Sequence, residues 1–221
     1  MKGLKRFFKS IMGYFQNEKG YTLMEMTAVV AVTATLTALA LPVVADKVQQ
    51  GKLARAAMDV DGLNQSLASF SKSLAYWPGD PANPNAGGLT AAVKFLFVGT
   101  DGLTPVIGAG TGWGADDNAS KHVVTNSTTD TIGTNAIYTA CSPTVKSNCW
   151  GGPYMGSMKE DPWGNRYLIN IQGFYDRTDP SGLGWIMSAG PDGEIETKIT
   201  DSKLEGDDIG VMAYKARYES Q

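Results

Sequence analysis

Twenty consecutive residues without a charge, Met26 to Ala45, separate Glu25 from Asp46. A helix rising 1.5 Å per residue makes of such a run a rod of roughly 30 Å, the hydrocarbon thickness of a bilayer, so this segment can cross a membrane once. Five basic residues (Lys2, Lys5, Arg6, Lys9, Lys19) and one acidic residue (Glu18) precede it. The positive-inside rule keeps that flank cytoplasmic and places everything after Asp46 on the far side. An ordinary secretory signal fits less well, because such signals put a small-residue cleavage site after the apolar core rather than a Gly before it.

The apolar run does not end at the membrane boundary but turns amphipathic. Leu53, Ala57, Val60, Leu63, Leu67, Phe70 and Leu74 recur every three or four residues, with Lys52, Arg55, Asp59, Asp61 and Lys72 between them. This spacing predicts one helix from about Thr22 to about Ala75, on the order of 80 Å long. Trp77-Pro78-Gly79-Asp80-Pro81 is a strong breaker and must end it. Pro42 removes one backbone hydrogen bond from the apolar half, where a kink or local melting is expected, and Gly51 adds a second weak point. Thr27, Thr33, Thr35 and Thr37 can bond back to the helix backbone or across to neighbouring helices.

The junction Gly20-Tyr21-Thr22-Leu23-Met24-Glu25, set against that apolar run, resembles the type III signal of type IV pilins and of the pseudopilins of type II secretion. Tyr21 stands where Phe is commoner. The resemblance implies that a prepilin peptidase cuts between Gly20 and Tyr21 and methylates the new amino terminus. A Gly at the cut leaves no Cβ in the way of a protease working at the membrane face. It further implies that Glu25 meets the free amino terminus of a neighbouring subunit inside a filament. A carboxylate in hydrocarbon is costly and needs a partner, so the pairing would lower that cost and set subunit register.

Residues 78–160 read as a long, turn-rich connection. Asn83 to Gly88, Gly108 to Gly114 and Asn126 to Asp130 have turn compositions, and the short apolar pieces Val93 to Val98 and Ala136-Ile137-Tyr138 read as a helical turn and a short strand. Cys141 and Cys149 are the only cysteines and flank seven residues. Beyond a membrane such a pair reads as a disulfide closing a local loop; half of a zinc site would have only His122 to call on. His122, the sole histidine, reads as a surface residue. Asn118-Ala119-Ser120 and Asn126-Ser127-Thr128 fit the glycosylation acceptor pattern.

In the last third, Pro162 and Gly164 form a turn, then Tyr167 to Ile171, Trp185 to Ser188 and Ile209 to Tyr218 read as three short antiparallel strands packed on the outer half of the helix around a single core. The opening Asp161-Pro162-Trp163-Gly164-Asn165-Arg166-Tyr167 looks like the start of the carboxy-terminal sheet of major pseudopilins. In that family an Asp-Gly after the second strand and an Asp-Ile before the third hold one calcium ion. The resemblance carries that role to Asp192 and to Asp207 or Asp208, with Ser202 a weaker candidate. Glu194 to Asp201 replaces the Gly-rich stretch usual there. A hard calcium ion needs six to eight oxygens, which a few carboxylates and backbone carbonyls can supply.

After residue 20 the chain keeps 14 of its 19 basic and 21 of its 22 acidic residues, a net charge of −7. Such a chain with no basic stripe is a poor candidate for general nucleic-acid binding. No His-Glu-x-x-His, Gly-x-Ser-x-Gly or phosphate-binding loop is present, and the chain does not read as an enzyme.

The expected fold is therefore α+β and pilin-like: a leader over 1–20, a transmembrane and assembly helix over 21–45, its amphipathic continuation over 46–77, the connection over 78–160 and a small antiparallel sheet over 161–221. The expected role is a filament subunit, anchored once in the bacterial inner membrane with its head in the periplasm. Its partners would be lipid before assembly, further copies of itself, the prepilin peptidase, an inner-membrane assembly platform, and minor pseudopilins or pilins. The carboxy-terminal resemblance implies the major pseudopilin of type II protein secretion; the alternatives are a type IV pilin forming a surface fibre for adhesion, motility or DNA uptake, and a monomeric anchored binding module.

Overall fold

The computed structural model describes residues 21–87, 92–99, 101–129, 135–156, 159–176 and 183–214. The basic leader with Gly20, the glycine expected at 88, Asp130 and the end of the third expected strand beyond Tyr214 lie outside these residues. Two units divide the chain, residues 1–49 and 50–221. One helix, α1 (Leu23–Leu74), contributes residues to both.

In the first unit every residue from Tyr21 to Val48 is exposed. The best 18-residue window of α1 has a mean hydropathy of 2.2, long and apolar enough to cross a membrane. The local melting expected at Pro42 does not occur, since helical residues continue through it. The hydroxyls of Thr27, Thr33, Thr35 and Thr37 all donate to carbonyls three or four residues back, at 2.6 to 3.1 Å. Of the two uses read for these hydroxyls, the chain makes the local one.

The second unit is built on the outer part of α1. Its buried face runs Ala56, Val60, Leu63, Ser66, Leu67, Phe70, Leu74. Leu53 and Ala57, expected in that stripe, are exposed instead. Ala56 and Ala57 both continue a three-or-four spacing from Val60, and nothing in two identical side chains chooses between them. The helix ends at Ala75, whose φ of 63° is left-handed, and the Pro78 ring behind it forbids another turn.

A five-stranded sheet packs on this helix. Its strands are β1 (Phe95–Val98), β3 (Asp117–Asn118), β4 (Tyr167–Asn170), β5 (Gly184–Ser188) and β7 (Ile209–Tyr214), in the order β3-β1-β4-β5-β7. The expected carboxy-terminal strands are β4, β5 and β7, and their pairings are antiparallel as expected. The purely antiparallel, purely carboxy-terminal sheet is corrected. Two further strands come from the long connection: β1, where Val93 to Val98 read as a helical turn, pairs antiparallel with β4, and β3 pairs parallel with β1. A separate parallel pair joins β2 (Val106–Ile107) to β6 (Glu194–Ile195).

The single expected core is corrected as well. Leu96, Val98, Tyr167, Ile169 and Ile186 face Val60, Leu63, Leu67, Phe70 and Leu74 of the helix. Phe95, Leu168, Trp185 and Met187 face the other way, into a second cluster with Trp113 and Ile195. Period-two alternation along β1, β4 and β5 therefore serves two buried faces, and the strands read as nearly continuous apolar runs. The second face is covered by the connection itself.

Within that connection, Asp80, Asn83 and Ala86 each donate a backbone N–H three residues back, at 3.2 Å, giving three successive turns. The side chains of Asp80 and Asn83 accept from the N–H two residues on and lock two of them. A short helix, α2 (Ala119–Val123), is capped by Asn118, whose side chain accepts from Ser120 N–H at 2.9 Å. Another, α3 (Gln172–Tyr175), follows β4. Ala136 to Tyr138 do not form the expected strand. Instead Asn126 pairs with Tyr138 through its amide, accepting from Tyr138 N–H at 2.8 Å and donating to Tyr138 O at 2.9 Å. One side chain thus does for Tyr138 what a neighbouring strand would.

Candidate functional site

At the start of α1, Glu25 N–H donates to Thr22 Oγ1 at 3.2 Å, and Glu25 Oε2 accepts from Thr22 N–H at 3.2 Å. This is a capping box, in which an N-cap hydroxyl and an acid three residues later satisfy each other's backbone donors. The Thr-x-x-Glu spacing announces it, and reading Thr22 only as part of the junction missed it. The box fixes where the carboxylate of Glu25 lies relative to Tyr21, which is itself exposed. Processing at Gly20 and Tyr21 concerns a bond whose first residue lies outside the described residues.

The acidic loop after β5 brings together Asp192, Glu196 and Asp207, whose carboxylate oxygens lie within 4.8 Å of one another. Asp192 and Asp207 are the residues expected there. Asp207 Oδ2 accepts from Asp192 N–H at 3.3 Å, and Asp192 Oδ1 accepts from Glu194 N–H at 2.9 Å, which closes the turn. Gly190 and Gly193, with φ of 66° and 76°, let the chain make it. A Cβ at Gly190 would collide with the Asp207 carbonyl.

Asp208, the alternative to Asp207, is used differently. Its Oδ2 accepts from Glu196 N–H at 3.0 Å and from Thr197 N–H at 2.8 Å. Ser202 is exposed and nothing marks it as a ligand.

The chemistry of this donor set fits calcium. It offers carboxylate oxygens only, with neither nitrogen nor sulfur to favour a softer metal. Glu196 Oε2, Asp207 Oδ1 and Asp208 Oδ1 are buried and accept no hydrogen bond from the described residues. Buried acceptors without donors are rare, and a cation or a water satisfies them. Desolvation, then the Asp192 charge, pushes the carboxyls of Glu196 and Asp207 upward. Desolvation also raises Asp208, against the backbone donors of Thr197 and Glu196.

His122 is corrected from surface residue to fully buried. Its Nδ1 stands 2.6 Å from the Tyr138 hydroxyl, which accepts from Gly79 N–H at 3.0 Å. Nδ1 and the phenol share one hydrogen bond whose donor follows the ring tautomer, and Nε2 lies 3.4 Å from Asp117 Oδ2. Lys121 donates to Asp117 Oδ1 at 2.8 Å. Burial works against the Asp117 charge, but His122 and Lys121 outweigh it and hold the carboxyl well below the usual range. The arrangement is a latch that ties the helix breaker, α2 and the 135–139 segment together. The two asparagines of the glycosylation triplets are buried: Asn118 uses its amide oxygen to cap α2, and Asn126 commits its amide nitrogen to Tyr138 O.

Cys141 and Cys149 form a disulfide, S–S 2.01 Å, around an exposed loop. The loop is anchored where Ser73 of α1 donates to Cys149 O at 2.8 Å. Trp150 next to it donates its indole N–H to His122 O at 2.9 Å, which ties the staple to the latch.

A family model described as type II secretion system protein G matches residues 127–206. That match takes in the disulfide, β4, β5 and most of the acidic loop, and stops one residue short of Asp207. A fimbrial protein, EcpC of Eikenella corrodens, is 31% identical over 83 residues, which are 38% of this chain and 52% of that protein. The chain thus spans about half the length of the curated relative it matches. No solved structure matches. A long apolar amino-terminal helix and a small sheet packed on its outer part make a pilin-like fold, in accord with the likeness of residues 127–206 to type II secretion protein G and with the likeness to a fimbrial protein.

Proposed function

We propose that the chain is the subunit of a helical filament of the type II secretion pseudopilus, processed between Gly20 and Tyr21 and assembled through α1. The observation that carries this reading is the bare apolar surface from Leu23 to Val48, exposed on every side. A surface of that size in a soluble chain demands either lipid or like helices around it. Single passage through the inner membrane, with the head in the periplasm, would serve the waiting subunit, and an assembly platform would deliver it into the fibre. A heterologous contact that does not close on itself gives an open helix of subunits. The oxidising side of the membrane suits the disulfide. Methylation of Tyr21 and capping by minor pseudopilins follow from the same reading.

Glu25 is the residue that tests it. Its carboxylate, already fixed by Thr22, would receive the free amino terminus of a neighbour. Glu25→Ala in cells should leave processing intact, read as the shift in gel mobility, and abolish filaments in electron micrographs. Normal filaments from the variant would overturn the role of Glu25. An unprocessed wild-type chain would overturn the reading altogether.

Asp192 and Asp207 would hold a calcium ion in the acidic loop. Bound there, calcium supplies the positive charge that their facing carboxylates lack. A second reading, a surface fibre, is supported by the likeness to a fimbrial protein and by the exposed disulfide loop. Recovery of the subunit in the sheared extracellular fraction, with secretion unaffected by its deletion, would favour that fibre over the pseudopilus.

A further inference from the structure

The strap Gly193–Ile199 carries Glu196 and is tied on both sides. Toward the long connection, Val106 N–H donates to Gly193 O at 2.8 Å and Gly108 N–H to Ile195 O at 3.0 Å. The indole N–H of Trp113 donates to Thr197 O at 2.8 Å, and Ile199 N–H to Thr111 O at 3.0 Å. Toward the acidic loop, the Asp208 carboxylate accepts from Glu196 N–H and Thr197 N–H, and Glu205 N–H donates to Thr197 Oγ1 at 2.8 Å. Any force on Glu196 is therefore felt by the Val106–Trp113 stretch.

Two independent observations point the Glu196 side chain at a cation. Its Oε2 is buried without a donor, as is Oδ1 of Asp208, a residue only 7% exposed whose other oxygen holds the Glu196 backbone. Gly206, at a φ of 61°, leaves room for the Glu196 carboxylate to lie over it, and any Cβ there would overlap Oε2. The chain accepts a left-handed glycine at this point and brings a third negative charge into a place already holding two. Without a cation that placement is repulsive.

We propose that Glu196 is a calcium ligand beside Asp192 and Asp207, and that occupancy of the site clamps the Val106–Trp113 stretch of the long connection to the sheet. This rests on the calcium reading given above. Asp208 acts as a positioning residue, holding the strap so that the Glu196 carboxylate reaches the other two. The covering of the second core face, to which Trp113 and Ile195 belong, thereby depends on the ion.

The test uses the full chain in detergent, with calcium binding read by titration calorimetry and backbone exchange by mass spectrometry. Calcium should slow exchange in 106–113 at least tenfold. Glu196→Gln should weaken calcium binding at least tenfold and abolish that gain in protection, while the calcium-free protein melts no lower than wild type because a repulsive charge has gone. A purely structural Glu196 would lower the calcium-free melting temperature instead. Equal calcium affinity in wild type and variant, or unchanged exchange of 106–113 in calcium-loaded wild type, would overturn the proposal and leave calcium at Asp192 and Asp207 standing. Absence of any calcium heat in wild type would overturn the calcium reading and this proposal with it.

Discussion

Tyr167 of β4 donates its phenol to Asp59 of α1 at 2.9 Å, across the junction of helix and sheet. Tyr167 is buried and Asp59 is partly exposed, with Arg55 Nε 3.5 Å from the same carboxylate oxygen. Burial first, then this bond to a carboxylate, pushes the phenol well above its usual range. Hydrogen bonds to charged groups contribute roughly 1.5–3 kcal/mol, less where the acceptor remains wet. Tyr167→Phe keeps the ring and should cost about 1–2 kcal/mol, read as a lower denaturation midpoint with an unchanged slope.

Asn126 should prove harder to replace than its surroundings suggest. Its φ of 49° suits Asn or Gly, and both ends of its amide serve Tyr138. Asn126→Ala removes two buried bonds and strains the backbone, for a loss of about 2–4 kcal/mol. Asn126→Gly relieves the strain alone and should fall between the two. Equal stability of the Ala and Gly variants would show that the left-handed backbone carries no cost here.

The staple has a simpler expectation. Closing the loop between Cys141 and Cys149, eight positions apart, restricts the unfolded chain by about 2–3 kcal/mol in the loop-entropy account. The double Cys→Ser variant should lose that much, and the loss should appear at the latch too, as faster amide exchange around His122 and Trp150.

Much of this was legible in advance, and the misses share a cause. The length of α1, its stop at the proline cluster and the strands β4, β5 and β7 follow from periodicity and turn residues within a dozen positions. The strand β1 and the pairing of β2 with β6 depend on partners 70 to 90 positions away, and no local pattern reports them. His122 was misplaced for the same reason. A lone histidine reads as polar surface unless Asp117 and Tyr138 are known to enclose it. In the acidic loop the Asp residues were visible as neighbours of Gly and Ile. Glu196 was hidden because Gly206, ten positions on, is what gives it room.

The two acidic groups should respond to pH with opposite signs. Asp117 has its folded pKa lowered, so its contribution is complete above the unfolded carboxylate range and is lost as pH falls through that range and below. Glu196, Asp207 and Asp208 have theirs raised, so without calcium they favour the fold in acid and weaken it as pH climbs past the usual carboxylate range. Melting curves from pH 3 to 7 in chelator should therefore separate two variants. Asp117→Asn should flatten the acid limb, and Asp207→Asn the limb above it. At neutral pH chelator alone should lower the wild-type melting temperature. A melting curve indifferent to calcium would sink the calcium reading.

The four threonines of the apolar half spend their hydroxyls on their own backbone. To whatever surrounds it, this half of α1 is then chemically mute along its length, with Glu25 its single voice. Acyl chains and neighbouring helices meet much the same surface, so exchanging one for the other breaks no side-chain bond of this stretch. Such a rod is suited to traffic in both directions, entering a bundle or slipping back into the membrane with little resistance from the rod itself.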